Sequence, residues 1–144
     1  PAEEIYTLKS ERLYTGEKEN IHLEHIAGNS FYSEITFSEN TDFNLLLGRD
    51  GKKEIRFIKE KDFAGICTSG VKSEGISFPA DVDMVRDMEI FVDRRAVEIF
   101  INGGEAAGTK LFYNSGTEGC FVLEAERPEA VTRAEVTKMQ SVWQ

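Results

Sequence analysis

Apolar and polar residues alternate in short runs along most of the chain from Ile21 onward. In the run FYSEITF, Phe31, Ser33, Ile35 and Phe37 fall on one face of a strand and the residues between them fall on the other. About ten to thirteen such runs follow one another, separated by turn residues at short spacing. The pattern predicts an all-β fold, a two-sheet antiparallel β-sandwich of the concanavalin or lectin-like jelly-roll type.

The first twenty residues do not share this pattern, because they are polar and acidic with only loosely spaced apolar positions. We therefore expect an irregular lead-in or linker over residues 1–20 and one β-sandwich domain over residues 21–144. A chain of 144 residues fits a single domain. At this size folding buries roughly 68–70% of the surface of the unfolded chain, which is enough for a core without metals or disulfides.

Two dipeptides mark tight hairpin turns. Asp50 and Gly51 separate two strand-like runs, and Asn102 and Gly103 separate two more. Asn and Gly both tolerate the positive φ that the central residues of a type I′ turn require. We expect hairpins at both places.

The densest run of strand-like sequence covers residues 88–113 and predicts two consecutive hairpins. A loop at Arg94 and Arg95 would place Phe91 opposite Glu98 across the first hairpin. Asp93 stands where a turn begins, and a carboxylate at that position accepts backbone N–H groups. The structural interpretation of Asp93 is therefore turn geometry.

Glu98 stands in the middle of a predicted strand, with Phe91 and Phe100 on the same face. A carboxylate on a largely apolar face is costly unless it is paired or solvated, and either arginine of the turn is a candidate partner. Asp93 and Glu98 together also suggest the acid and base of a glycosidase. The hairpin argues against that pair, because it puts one carboxylate at a turn and the other inside a strand.

The net charge limits the classes of partner that are compatible with this chain. The net charge of −9 disfavours nucleic acid and anionic membranes, whereas a neutral partner such as a sugar or a protein surface is compatible with it. No cofactor or metal is predicted, since the acidic runs lack EF-hand spacing and no phosphate-binding glycine motif occurs. Cys67 and Cys120 are compatible with both a disulfide and two free thiols. No membrane-spanning run or signal peptide is visible, and both a bacterial cytoplasmic and a secreted location fit these features.

The stretch FVDRRAVEIFINGGEAAGTKLFY resembles the signature hairpin pair of the C-terminal β-sandwich domain in glycoside hydrolase family 32. That family includes invertases, sucrose-6-phosphate hydrolases, levanases and inulinases, which cleave terminal β-fructosides. The matching positions are Asp93, Arg94, Val97, Glu98, Phe100, Asn102, Gly103 and Thr109. Arg95 and Ala96 depart from the usual Ser-Ser at the turn.

The resemblance extends less specifically to the lead-in PAEEIYTL, to FNLLLGRDGKKEIRFIKEKD and to the ending VTKMQSVW. Family 32 catalysis belongs to an N-terminal five-bladed propeller with WMNDPN-like, RDP and EC motifs, and none of these occurs here. The resemblance therefore implies a non-catalytic accessory domain of a fructoside-hydrolysing enzyme. Its implied partners are the catalytic propeller, which it stabilises, and a second copy in a homo-oligomer.

A related module, carbohydrate-binding module family 66, implies an alternative function, the binding of terminal fructose in fructans. The candidate ligand-binding residues are Glu98, Asp93 and Arg49, because carboxylates and guanidinium groups pair well with sugar hydroxyls. Glu98 and Asp93 lie on the family motif, whereas Arg49 rests on an approximate alignment and is otherwise an exposed residue beside a turn. For Trp143, in the terminal strand, a core or interface role is favoured over a sugar platform.

Overall fold

The computed structural model describes residues 6–28, 30–68, 71–78, 84–114, 116 and 118–143. They form twelve β-strands and one 3-10 turn at Pro128–Ala130, and no α-helix occurs in these ranges. The strands are β1 Tyr6–Gly16, β2 Ile21–Ala27, β3 Phe31–Phe37, β4 Phe43–Asp50, β5 Lys53–Glu60, β6 Phe63–Thr68, β7 Val71–Ser77, β8 Asp87–Val92, β9 Ala96–Ile101, β10 Ala106–Leu111, β11 Glu118–Ala125 and β12 Val131–Trp143. The predicted all-β fold is confirmed.

The strands form two six-stranded sheets that pack face to face. Sheet A has the order β1-β12-β3-β8-β9-β10, and sheet B has the order β2-β11-β4-β5-β6-β7. Neighbouring strands within each sheet run antiparallel. The architecture is thus the predicted two-sheet antiparallel sandwich.

The expectation of an irregular segment over residues 1–20 is wrong for its larger part. Tyr6–Gly16 form β1, which pairs with β12 from Tyr6 opposite Trp143 to Gly16 opposite Ala134. The pairing partner lies more than a hundred residues away along the chain, so local apolar spacing gives little sign of this edge strand. Residues 1–5 lie outside the described residues.

The core lies between the inner faces of the two sheets. β3 alternates as predicted, with Phe31, Ser33, Ile35 and Phe37 buried. An aromatic row then crosses between the sheets: Phe37 stacks on Phe43 with ring centroids 5.0 Å apart, and Phe43 lies 5.6 Å from the ring of Phe57. Burying each such side chain stabilises the fold by roughly 1.5–3 kcal/mol relative to leaving it exposed.

Hairpins form at both predicted places, but both predicted residues have positive φ only in the second turn, since at the first Gly51 has φ of 63° and Asp50 is the last residue of β4. Asn102 and Gly103 have φ of 55° and 70°, although the loop between Ile101 and Ala106 is longer than a two-residue turn and spans residues 102–105. The Asn102 side chain fixes this loop to the segment before β8. Its Oδ1 accepts the Arg86 backbone N–H at 2.7 Å, and its Nδ2 donates to the Met84 carbonyl at 2.9 Å.

The sandwich has two ends that carry different loops. The β8–β9 end holds the turn between β8 and β9, the β4–β5 turn and the segment around Asn114. The backbone N–H of Asn114 donates to the Arg94 carbonyl at 2.8 Å. The start of β1 and the end of β12 also lie at this end, because Lys138 of β12 pairs with Phe31, the first residue of β3, and β12 continues past it. The β5–β6 end holds the β5–β6 turn, the start of β4 and the end of β11.

Candidate functional site

The Asp93 side chain caps the β8–β9 turn. Its Oδ1 accepts the backbone N–H groups of Arg95 at 2.7 Å and of Ala96 at 2.9 Å. Its own N–H donates to the Ala96 carbonyl at 3.0 Å. The turn interpretation is confirmed, and one carboxylate oxygen is already occupied by the protein backbone.

Glu98 lies on the outer face of sheet A, among aromatic rings. It stands opposite Phe91 in β8, in the predicted register, and opposite Thr109 in β10. The rings of Phe91 and Phe100 meet edge to face at 6.1 Å, and Tyr32 lies 4.7 Å from Phe91 on the other side. We call the surface formed by Tyr32, Phe91, Phe100 and Glu98 the outer aromatic face.

Of the two alternatives for Glu98, an ion pair with an arginine of the turn or solvation, the ion pair does not form in the described structure. Across the described part of the chain no cation pairs with Glu98, and its side chain is exposed to solvent. Arg94 instead lies over the ring of Tyr113, with 5.9 Å between the guanidinium carbon and the ring centroid. The Glu98 carboxylate is therefore exposed to water, and this solvation offsets the cost of placing a charge on a largely apolar face.

Two further carboxylates border the outer aromatic face. Glu34 in β3 and Glu89 in β8 stand directly opposite each other, where like charges repel. The Tyr32 hydroxyl lies 2.7 Å from a Glu34 oxygen and 2.9 Å from a Glu89 oxygen, so its single hydrogen is shared between them. Burial, followed by these two hydrogen bonds, raises the pKa of Tyr32 above its ordinary value. The tyrosine holds the two carboxylates together.

Arg49 lies on sheet B, at the end of β4, and is held by two carboxylates. Its Nη1 donates to Glu24 and its Nε donates to Glu54, each at 3.3 Å. It borders a polar cleft of about 350 Å³ together with His25, Asn114 and other residues at the β8–β9 end. Arg49 is thus more than an exposed residue beside a turn, since it belongs to an ion-paired cluster.

The three residues predicted to bind fructose do not converge. Asp93 and Glu98 lie on sheet A and Arg49 on sheet B, and neither carboxylate borders the Arg49 cleft. Asn114 connects the two regions, because its backbone binds the β8–β9 turn and its side chain borders the cleft. The arrangement supplies separate polar surfaces at one end of the molecule, and a single pocket built from all three residues is not formed.

The Cys120 thiol is buried beside the Arg49 cleft, and burial raises its pKa. Cys67 is buried as well, and neither cysteine forms a disulfide in the described structure. This decides between the two states that the sequence left open. The side chain of Trp143 lies outside the described residues, so its predicted core or interface role stays a prediction.

Sequence reasoning missed two features of this surface chemistry. Tyr32 was placed on the outer face together with Glu34, but its contact with Glu89 depends on β3 pairing with β8, which no local pattern indicates. Lys59, which proves to be fully buried, was also missed. The available signal was its place in period two with Ile55 and Phe57, two core positions of the same strand.

A sequence model described as glycosyl hydrolases family 32 C terminal matches residues 4–140. The chain belongs to this family. The resemblance seen in the hairpin pair at residues 88–113 is thereby confirmed over nearly the whole chain.

Solved structures show the same fold as this family 32 C-terminal domain. A glycoside hydrolase family 32 protein from Bifidobacterium adolescentis superimposes with a TM-score of 0.77 at 22% identity, over 95% of this chain and 22% of that chain. Sucrose-6-phosphate hydrolase from Lactobacillus gasseri gives a TM-score of 0.62 at 17% identity, over 90% of this chain and 28% of that one. Fructofuranosidase from Schwanniomyces occidentalis complexed with fructose gives 0.57 at 16% identity, over 94% and 33%. The domain thus spans between about a fifth and a third of these chains.

No curated protein matches the sequence. Within the described ranges, no group of three or more His, Cys, Asp or Glu residues is arranged to hold a metal ion. No helix in those ranges has the length and apolar character needed to cross a membrane.

Proposed function

We propose that this chain is the non-catalytic accessory domain of a fructoside-hydrolysing enzyme of the sucrose-6-phosphate hydrolase, invertase or levanase type. The observation that carries the proposal is the family match over residues 4–140, set against solved relatives that are three to five times longer than the matched part. The domain stabilises the catalytic propeller by packing against it.

The candidate docking surface lies at the β8–β9 end. The exposed large apolar side chains among the described residues are Phe91, Leu111 and Tyr113, at 37%, 79% and 60% exposure. Phe91 and Leu111 share the outer face of sheet A, on neighbouring rows of the β8, β9 and β10 pairing. Clustered exposed apolar side chains are typical of interaction sites.

The position of the chain ends favours the catalytic domain as the occupant. β1 begins beside the end of β12, with Tyr6 opposite Trp143, and both lie at the same end of the sandwich as this apolar cluster. A domain connected through β1 therefore joins the sandwich at the same end as Phe91, Leu111 and Tyr113, although β1 and β10 are the opposite edge strands of sheet A. A second copy of the chain is the competing occupant, and it corresponds to the predicted homo-oligomer.

Activity assays on two lengths of chain test the accessory role. We expect the 144-residue chain alone to release no fructose from sucrose, sucrose 6-phosphate, levan or inulin, and the same chain joined to a catalytic propeller to be active. Removing residues 4–140 from the longer protein lowers the melting temperature of the propeller. Fructose release by a pure preparation of the short chain would overturn the proposal.

Paired serine substitutions test the docking surface. Leu111→Ser with Tyr113→Ser lowers the melting temperature of the longer protein but leaves that of the short chain nearly unchanged, because both side chains are solvent-exposed in the isolated domain. Lys52→Ser, at an exposed turn on the same end, is the matched control. Light scattering that finds a dimer of the short chain, abolished by the double substitution, would assign the surface to a second copy instead.

The second candidate function is the binding of terminal fructose at Glu98. It is favoured by one observation, an exposed carboxylate that has no ion pair with any described residue and that lies beside the exposed ring of Phe91. The ring offers an apolar face for stacking and the carboxylate accepts sugar hydroxyls. Asp93 and Arg49, the other proposed ligands, contribute less because the backbone or neighbouring carboxylates already occupy them.

The two functions compete for one surface, because Glu98 stands between Phe91 and the strand that carries Leu111. Calorimetric titration with levan distinguishes them. The carbohydrate function is supported if the short chain binds levan and Glu98→Ala abolishes that binding. If the propeller covers the same face, the longer protein does not show this binding. Absence of heat at millimolar sugar leaves the docking function alone.

A further inference from the structure

Lys59 is the one charged side chain among the described residues that is fully buried. Its exposed fraction is 1%, and it follows Ile55 and Phe57 on the inner face of β5. In register it lies between Phe43 of β4 and Ala64 of β6, both core residues. An ammonium group in such surroundings is costly unless its hydrogen-bond donors are satisfied.

The protein satisfies only part of this requirement. Lys59 Nζ donates to the backbone carbonyl of Glu60 at 2.7 Å. An ammonium group has three N–H donors, so two remain for other acceptors. Within the ranges that the structure describes, no carboxylate forms an ion pair with it.

Lys59 borders an open groove of about 680 Å³ at the β5–β6 end. The groove runs between the start of β4, the β5–β6 turn and the end of β11, and Asn44, Phe63 and Glu126 also line it. In all, five carboxylates and two lysines surround it. Its size is within the range of known small-ligand sites, roughly 300–1,000 Å³.

This mixture of groups selects a ligand by its chemistry. Five carboxylates repel an anion, and a buried ammonium opposes a cation. A neutral hydroxyl group both donates and accepts, so it satisfies an ammonium donor and a carboxylate acceptor at once. The Phe63 side chain, which lines the groove, adds an apolar surface against which a sugar packs.

We infer that this groove binds a short neutral oligosaccharide, with Lys59 donating to a ligand hydroxyl. The site lies on sheet B at the end opposite the docking surface, so it stays open when the β8–β9 end is covered. The inference goes beyond the accessory function and does not depend on it.

Calorimetric titration of the 144-residue chain with nystose and with cellotetraose, two neutral tetrasaccharides, tests the site. At least one is expected to bind, and Lys59→Met is expected to weaken that binding at least tenfold. Methionine has a similar length and removes the buried charge, so the variant keeps or gains thermal stability. Lys52→Met, an exposed lysine at the opposite end, serves as the matched control and binds like the wild type.

Glu126→Gln gives a second measurement that does not touch the core. It keeps the size of the side chain in the groove, removes one acceptor charge and is expected to weaken binding while leaving the melting temperature unchanged. The inference is overturned if neither sugar gives heat at millimolar concentration, or if Lys59→Met binds as tightly as the wild type. It is also overturned if Glu98→Ala, on the outer aromatic face, abolishes the binding that Lys59→Met retains.

Discussion

Replacing Asp93 with alanine is expected to destabilise the domain by about 1–2 kcal/mol. Its carboxylate accepts two backbone N–H groups, at 2.7 and 2.9 Å, that have no other acceptor in the turn. Hydrogen bonds to a charged acceptor contribute about 1.5–3 kcal/mol when protected from water. The turn is exposed, so we expect the smaller total that side-chain caps of backbone N–H groups give, about 0.5–2 kcal/mol.

Urea and thermal unfolding of the short chain measure this loss. With an unfolding entropy of about 2.1 cal/mol/K per residue, a domain of 144 residues loses about 3 °C of melting temperature for each kcal/mol. Asp93→Ala should therefore melt about 3–6 °C below the wild type, with an unchanged slope in urea. Asp93→Asn keeps a side-chain oxygen acceptor and should lose less than half as much.

Glu98→Ala is the matched control, since it removes an exposed carboxylate five residues away that has no ion pair in the described structure. Its stability should stay within about 0.5 kcal/mol of the wild type. The reasoning is refuted if Asp93→Ala unfolds like the wild type. Equal losses in Asp93→Asn and Asp93→Ala would show that the negative charge, not the acceptor oxygen, stabilises the turn.

Three further predictions concern the sheets. Neither Cys67 nor Cys120 should react with a thiol reagent until the chain is unfolded, and reduction should not change the intact mass, because both thiols are buried and neither is in a disulfide. Burial acts to raise the pKa of Glu54, but hydrogen bonds from two arginines lower it below the ordinary 4.5. The contribution of Glu54 to stability is therefore present above pH 4.5 and is lost as the pH falls through the lowered pKa of the folded state. Urea unfolding between pH 6 and pH 3 should show a shallower loss for Glu54→Gln, and an equal slope would contradict this. Gly108→Ala should cost about 1–3 kcal/mol in urea unfolding, because its Cβ would lie 2.5 Å from a ring carbon of Phe78, and wild-type stability would refute that packing.

Which side chains of a strand face the core could be predicted wherever the neighbouring turn was recognised in the sequence. In β8 and β9 the period-two pattern and the turn after Val92 together determine the register, and the structure pairs Phe91 with Glu98 as expected. Side chains opposite each other in a hairpin depend only on local sequence, since a one-residue slip would move every apolar side chain to the wrong face. Asp93 and Asn102 were predictable for the same reason, because a turn requires particular residues at particular positions.

Features that depend on strand order were not predictable from the sequence. β1 was missed because its partner is β12, at the other end of the chain. The sharing of the Tyr32 hydroxyl between Glu34 and Glu89 requires β3 beside β8, and it joins residues 57 positions apart. The choice between an ion pair and solvation for Glu98 could not be made from the sequence, because Arg94 packs over Tyr113, a residue that returns to the turn only after β10.

These outcomes separate what the family motif encodes from what a ligand would need. Asp93 caps a turn, Asn102 ties a loop to residues 84 and 86, and Val97 lies in the core, so these motif positions build the hairpin pair. A match to the motif therefore identifies the domain by its fold and carries little information about binding. Two groups of the described residues keep unused hydrogen-bonding capacity: the solvated Glu98 carboxylate, which belongs to the motif, and the buried Lys59 ammonium, which lies outside it. Substitution at these two positions, followed by titration with sugars, therefore tests for ligand binding that the fold-building part of the motif does not predict.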